Sequence, residues 1–286
     1  MVVHLPDTVD EAVEHLAADP SSTVLAGGTD LMVEVNDGHR RPPGAVVVNR
    51  IPELRSWRHD PRAATVTIGA AVTYSEMLAD PLAAMVPALA QAARTVGSPQ
   101  IRNAGTLGGN LGTCSPAGDG LPVLSALGAD VELASVAGRR RLPVDEFMVG
   151  VKRTALAPGE LVVSVTVPVV DGWQGYAKVG VRNAMVIAVA STCVVLDRSR
   201  RTVAVALGSV GPTILRCPEA EVHLAAVLDW TMLEVPAAEL DRFAELVSAA
   251  SRPITDHRST AEYRRHAVGV LARRLVRRAS STEVAA

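Results

Sequence analysis

The residues from Ile101 to Asp119, I-R-N-A-G-T-L-G-G-N-L-G-T-C-S-P-A-G-D, are better suited to holding a ligand than to filling a core. Gly105, Gly108, Gly109, Gly112 and Gly118 are interleaved with Thr106, Asn110, Thr113 and Ser115, and one carboxylate, Asp119, closes the segment. Such a stretch bends sharply, can turn backbone N–H groups outward, and lets a ligand approach with no Cβ in the way. A second segment of this kind, L-A-G-G-T-D-L from Leu25 to Leu31, follows a short apolar run and precedes a helical pattern. Strand, diglycine turn and helix start together make an anion site, because the first-turn amides lack partners and face the turn. Two backbone cradles in one chain imply a ligand with two adjacent phosphates. A lone diglycine is usually only a turn, and neither a G-x-G-x-x-G fingerprint nor a G-x-x-x-x-G-K-[ST] loop occurs. Spacing alone therefore points to nucleotide phosphates without saying which nucleotide.

Other chemistry-bearing residues argue mainly by exclusion. Cys114, Cys193 and Cys217 lie far apart, with no C-x-x-C spacing for zinc or an iron–sulfur cluster, so any redox metal is expected on another chain. No metal ligand is assigned. Each cysteine reads as a small buried hydrophobe. The seven histidines form no H-x-x-x-H pair and no pairing with a nucleophile, and read as surface or structural groups.

The elements that must position the glycine segments are readable in outline. Thr8 and Glu11 make a capping box ahead of Val9, Ala12, Val13 and Leu16 at helical spacing. Thr23 to Ala26 reads as a strand, and Thr29 or Asp30 can cap a helix carrying Leu31, Met32 and Val35. Ala45 to Asn49 and Thr65 to Ala70 read as strands with a polar segment between them. Thr73 and Glu76 form another capping box, and Pro81 to Arg94 reads as one alanine-rich helix. The long glycine segment is expected as a fixed loop between that helix and a strand at Ala129 to Ala134. After a junction at Ala157 to Gly175, Gln174 to Val181, Val186 to Leu196 and Thr202 to Leu207 read as three antiparallel strands. A final helix, roughly Thr260 to Arg278, puts Val268, Leu271 and Leu275 on one face and Arg273, Arg274 and Arg277 on another, either a solvated surface or a dock for an acidic partner.

Bulk properties narrow the class. The 286 residues suffice for two or three units at about 100–150 residues each. With 28 basic against 30 acidic residues the formal charge is -2, which disfavours nucleic acid or another polyanion as partner. The apolar run Ala184 to Leu196 is too short for a bilayer span, and M-V-V-H-L-P-D does not read as an export signal. A cytoplasmic location is expected.

The order A-G-G-T-D-L (Ala26–Leu31), I-R-N-x-G-T-L-G-G-N (Ile101–Asn110), Ser115-Pro116 and Asp119 resembles the FAD-binding, or medium, subunit of the molybdenum hydroxylases, which include xanthine dehydrogenase and aerobic carbon monoxide dehydrogenase. K-V-G-x-R (Lys178–Arg182), L-G-S-V-G-P-T (Leu207–Thr213) and D-H-R-S-T-A-E-Y-R-R (Asp256–Arg265) resemble the family's C-terminal domain, so the likeness runs end to end. It implies an α+β chain. Residues 1–170 would be a PCMH-type FAD-binding domain of two α/β subdomains, about 1–55 and 56–170, and 171–286 a C-terminal domain with a three-stranded antiparallel sheet and helices.

The resemblance also implies FAD as cofactor and a position for each contact. Val24, Leu25, Ala26, Gly27, Gly28, Thr29, Asp30 and Leu31 would wrap the pyrophosphate, with the amides of Gly27 to Asp30 as donors. Thr106, Leu107, Gly108, Gly109 and Asn110 would hold the other side of the phosphates and the ribityl chain, with Thr113 in the same binding segment. Asp119 would accept a hydrogen bond from the polar part of the cofactor. Leu161 and Val162 would lie near the flavin ring or its adenine partner, and Lys178 near the flavin, where a cation stabilises negative charge arising on reduction. The alternative for Lys178 is an exposed strand lysine. Val96 stands where some relatives carry an aromatic residue; Trp173 and Tyr176 are the substitutes nearest Lys178 in sequence, with core packing as their other role. The implied function is electron transfer from iron–sulfur clusters on a partner, through FAD, to a terminal acceptor. The partners would be a molybdopterin-binding large subunit and a 2Fe-2S small subunit. The alternative is a stand-alone FAD-dependent oxidoreductase acting directly on a small molecule.

Overall fold

The structure, a computed structural model, describes residues 2–283. It begins with β1 (Val2–His4), α1 (Val9–Ala18), β2 (Thr23–Leu25), α2 (Leu31–Asn36) and β3 (Gly44–Val47). The strands form a parallel sheet in the order β1-β3-β2. α1 buries Val9, Ala12, Val13 and Leu16, the face its periodicity predicts. Thr8 caps the helix as expected, accepting from the Glu11 amide at 3.1 Å, but the Glu11 carboxylate accepts from the Asp7 amide at 2.9 Å instead of closing the box on Thr8.

Next come α3 (Pro52–Arg55), β4 (Trp57–Asp60), β5 (Thr65–Gly69), a 3₁₀ turn at Glu76–Leu78, α4 (Leu82–Met85), α5 (Pro87–Arg94), α6 (Pro99–Ala104), α7 (Leu107–Thr113) and α8 (Gly120–Ala126). They are followed by β6 (Asp130–Ser135), β7 (Gly138–Pro143), α9 (Val144–Phe147), the short ribbon β8 (Met148–Gly150) and β9 (Arg153–Thr154), and β10 (Leu161–Pro168). An antiparallel sheet in the order β4-β5-β10-β6-β7 centres on β10, which pairs with β5 on one side and β6 on the other.

The remaining strands, β11 (Gly172–Val179), β12 (Ala190–Asp197), β13 (Thr202–Gly208) and β14 (Leu215–Arg216), form an antiparallel sheet in chain order. Three helices follow: α10 (Pro218–Val227), α11 (Ala237–Ala250) and α12 (Ala261–Glu283). Every residue of β12 is buried, because both faces of this sheet are covered. Side chains alternate across a strand. Tyr176, Cys193, Val195 and Ala206 therefore join the core shared with α5 and α8, whereas Val194, Leu196, Val205 and Leu207 pack against the C-terminal helices. The α12 face of Val268, Leu271 and Leu275 is buried in that second core or against it.

Several elements differ from the sequence expectations. The segment Pro81 to Arg94 is two helices, since Pro87 brings no N–H and Val86 before it leaves the helical region at φ -131 and ψ 65. The glycine segment is not one loop: it holds the end of α6 and the whole of α7, and residues 114–119 remain as a turn leading into α8. The C-terminal sheet has four strands, β14 being a two-residue addition beside β13. The polar stretch between β3 and β5 contains α3 and β4. Among the described residues no helix is long and apolar enough to cross a membrane.

Candidate functional site

After β2 the chain turns at residues 26–29 into α2. Gly28 sits at φ 69, a left-handed conformation that favours glycine. Gly27 is where the two glycine segments touch: a Cβ there would run into the Ala104 carbonyl and lie 3.0 Å from the Gly105 nitrogen. Among the described residues, the amides of Gly27, Gly28, Thr29, Asp30 and Leu31 find no acceptor in the protein. Asp30 occupies the N-cap position of α2 but does not cap it. Its Oδ2 instead accepts from Thr113 Oγ1 at 2.9 Å, tying this turn to the end of α7. α2 buries none of its residues, and Val24 and Met32 are exposed beside the free amides.

The second segment is built differently. Thr106 caps α7 by accepting from the Gly109 amide at 3.0 Å. The Leu107 amide donates to the Val72 carbonyl at 3.1 Å, and that of Gly108 to Ala70 at 2.8 Å. The first-turn amides of α7 are thus already used to fix the helix against residues 70–73. Leu107 and Leu111 bury one face of α7, and the opposite face exposes Gly109 and Gly112; nothing lies within 4 Å of where a Gly112 Cβ would be. Asn110 Oδ1 accepts from the Gly120 amide at 3.1 Å and so holds the start of α8. Instead of two cradles of open amides, the site has one, tied through Asp30 and Thr113 to a helix whose exposed positions include Gly109 and Gly112. At the end of α7 Cys114 takes the left-handed conformation, φ 47, and burial pushes its thiol up.

Beyond the helix lies a buried ion pair. Lys178 Nζ is 2.7 Å from Asp119 Oδ2, 2.9 Å from the Thr95 carbonyl and 3.1 Å from that of Val186. An ammonium has three donors, and all three are engaged. With its side chain only 7% exposed, Lys178 is not a solvated strand lysine. Asp119 Oδ1 accepts from the Tyr176 hydroxyl at 2.7 Å. Burial pushes the Asp119 carboxyl up, and Lys178 and then Tyr176 oppose that rise. Tyr176 itself is driven well above the usual phenol range by burial and by the adjacent Asp119 charge.

The other expected residues lie around these groups. The Val96 and Gly97 carbonyls both accept from Arg102 Nη1 at 3.0 Å. With Thr95 on Lys178, three successive carbonyls of the α5–α6 connection are held by two cations. Leu161 and Val162 are buried at the start of β10, which packs under α7. Trp173 packs against the C-terminal core and Tyr176 against the N-terminal one, so both have the packing role. Sequence reasoning missed Tyr74, whose ring would lie 3.1 Å from a Cβ on Gly105 and whose phenol burial and Asp119 push up. Its only sequence signal was the neighbouring capping box, formed by Thr73 and Glu76.

A cleft of about 350 Å³ lies elsewhere, on the polar face of the five-stranded sheet, lined among others by Trp57, Arg58, Glu132 and Arg139. Four of its charges pair, Arg139 lying 2.6 Å from Glu53 and Arg141 3.2 Å from Glu132, and none of the glycine-segment residues reaches it. Among the described residues no group of three His, Cys, Asp or Glu side chains could hold a metal ion.

Comparison with known proteins adds two family matches. Residues 1–170 match the family described as the FAD binding domain in molybdopterin dehydrogenase, and 176–279 the CO dehydrogenase flavoprotein C-terminal domain. The chain is 33% identical to the carbon monoxide dehydrogenase medium chain of Hydrogenophaga pseudoflava, covering 95% of this chain and 94% of that one. It is likewise 33% identical to the nicotine 6-hydroxylase medium subunit of Paenarthrobacter nicotinovorans, over 95% and 94% of the two chains. Its fold superimposes on a chain in the structure of reconstituted CO dehydrogenase from Oligotropha carboxidovorans with a TM-score of 0.88 at 30% identity, covering 98% of each.

Proposed function

The chain belongs to the family of FAD-binding domains of molybdopterin dehydrogenases, and from that premise we propose that it binds FAD and passes electrons as the flavin subunit of a molybdenum hydroxylase complex. The observation that carries the proposal is the run of free amides from Gly27 to Leu31, in a turn tied by Asp30 to Thr113 at the end of α7, whose Gly109 and Gly112 are exposed. Five donors without partners suit a diphosphate, whose oxygens accept only. Gly109 and Gly112 let the rest of the cofactor approach the helix backbone, and Thr113 with Asp30 holds the two walls together.

Bound FAD supplies the redox chemistry, taking electrons singly and releasing them singly or as a pair. The protein supplies position, water exclusion and field. Val24 to Leu31 would grip the diphosphate, and Thr106 to Asn110 with Thr113 would flank it. Leu161 and Val162 would give the apolar floor, and Val96 one rim. Lys178, fixed by Thr95, Asp119 and Val186, would contribute a cation that cannot swing away. In this reading residues 1–170 are the cofactor domain and 171–286 the C-terminal domain.

Relatives named as medium chains of enzymes for carbon monoxide and for nicotine support a role in which substrate is handled by another chain. The expected partners are a molybdopterin-binding large subunit and a 2Fe-2S small subunit, and three buried, unpaired cysteines suit a reducing cytoplasm. Purification tests the proposal. The chain should carry a yellow chromophore that dithionite bleaches, should show no substrate-driven bleaching alone, and should co-purify with one larger and one smaller chain. Folded protein that stays colourless and gains no thermal stability with excess FAD overturns it.

A further inference from the structure

We infer that Tyr176 is a positioning residue for the redox function of the site: by donating to Asp119 it keeps that carboxylate charged against Lys178, and so sets the charge the protein presents to bound flavin. The inference rests on the reading that FAD occupies the site.

The starting point is that Lys178 has no hydrogen bond left to give. Its three donors end on Thr95, Asp119 and Val186, so whatever it does to a ligand it does through its field. That field is largely cancelled by a carboxylate 2.7 Å away when Asp119 is ionised, and is uncompensated when Asp119 is neutral. The protonation state of Asp119 is therefore the control point.

Asp119 has few supports. It precedes α8 yet makes no side-chain cap bond there, and its two oxygens take one donor each, from Tyr176 and Lys178. Tyr176 is thus the only neutral donor to this carboxylate among the described residues. Its ring is locked. Tyr176 and Lys178 are two residues apart on β11 and so share one face of the sheet; the Tyr176 amide donates to Gln91 Oε1 at 2.9 Å, and Ser191 of β12, paired with Lys178 across the ladder, lies on the same face beside the phenol. The charged or titratable groups that face Asp119 and Tyr176 are Lys178 on β11, Tyr74 beyond β5 and Cys193 on β12. The two others that face Asp119 or Tyr176, Tyr74 and Cys193, are both raised well above the neutral range by burial, so neither competes with Asp119 for a change of charge near neutral pH.

Removing the phenol hydroxyl makes the buried carboxylate take up a proton at higher pH. Lys178 is then uncompensated and favours the negative charge that reduction brings to the flavin. The test measures FAD stoichiometry and the flavin midpoint potential as a function of pH in wild type, Tyr176→Phe and Asp119→Asn. Tyr176→Phe should hold FAD at the wild-type stoichiometry, with a potential more positive than wild type at the acid end and converging with it at the alkaline end. Asp119→Asn should be shifted positive throughout. A Tyr176→Phe protein with bound FAD and an unchanged potential–pH curve overturns the inference, whereas wild-type protein that takes up no FAD overturns the reading beneath it. Should Tyr176→Phe not fold, Ser191→Ala weakens the same phenol with its ring in place: a smaller shift in the same direction supports the inference and an unchanged curve overturns it.

Discussion

The Thr113 hydroxyl donates to the Asp30 carboxylate across 2.9 Å, joining the turn after β2 to the last residue of α7. This bond ties together the two segments proposed to hold the dinucleotide. Thr113→Val removes it, at a net cost of about 0.5–1.5 kcal/mol. FAD affinity should fall up to about tenfold with little change in melting temperature, and Thr113→Ser should restore it. Fluorescence titration with FAD is the check; wild-type affinity in the valine variant would remove this tie from the site.

Two glycines separate folding from binding. A methyl on Gly27 meets the Ala104 carbonyl, so Gly27→Ala should lower stability by about 1–3 kcal/mol and weaken FAD binding with it. A methyl on Gly112 meets nothing within 4 Å, and alanine favours a helix by up to about 1 kcal/mol over glycine. Gly112→Ala should melt at the wild-type temperature or above it yet bind FAD less tightly, because the methyl projects from the bare face of α7. Calorimetric melting beside FAD titration distinguishes the two, and undiminished binding by Gly112→Ala would exclude that face.

The C-terminal helix is fastened by a buried arginine. Arg264 lies 2.6 Å from Asp256 Oδ1, 2.7 Å from the Val189 carbonyl and 3.1 Å from that of Ser209. The Arg258 amide, followed by Arg264, holds the Asp256 carboxyl down at about 2 against the pull of burial. A lowered carboxylate stabilises the fold above its unfolded value of about 3.9 and loses that contribution as pH falls toward 2. Wild type should therefore lose stability between about pH 4 and pH 2, and Asp256→Asn should lack that component. Arg264→Met leaves two carbonyls without their donor and Asp256 with only the Arg258 guanidinium, 3.6 Å away, as its cation, and should cost near or below the lower end of about 3–5 kcal/mol, since Asp256 is partly solvated. Thermal melts across acid pH check both.

All three cysteines are unpaired and buried. Burial pushes Cys217 up to about 12 and raises Cys193 and Cys114 as well. A thiol reagent at about pH 8 should find no fast-reacting group in the native protein and all three cysteines after denaturation. A rapid native reaction would contradict the packing around α7 or β12.

The sequence made visible those elements whose side chains alternate or recur. α1 could be read from Val9, Ala12, Val13 and Leu16, and β12 from an apolar run broken only by Ser191 and Thr192. The edge strands β4 and β7 could not be read, because W-R-H-D and G-R-R-R-L-P carry charges where a central strand would alternate. α7 was hidden by its glycines: its own propensity is poor, and bonds from Leu107 and Gly108 to Val72 and Ala70, distant in sequence, hold it. Thr106 as cap with Leu107 and Leu111 one turn apart was the signal available. At the site, residue types singled out the amides and charges to look at, yet nothing in the spacing tells that Lys178 spends every donor inside the protein or that Asp30 turns from α2 to Thr113.

The family matches meet between residues 170 and 176, as though the chain could be divided there. The ammonium of Lys178 lies beyond that seam, and the carboxylate and carbonyl it satisfies, those of Asp119 and Thr95, lie before it. Cutting the polypeptide at the seam would strand a negative charge in a dry interior and strip the flank of α5 and α8. The smallest piece that keeps this ion pair intact consequently spans both matched segments, not the first alone.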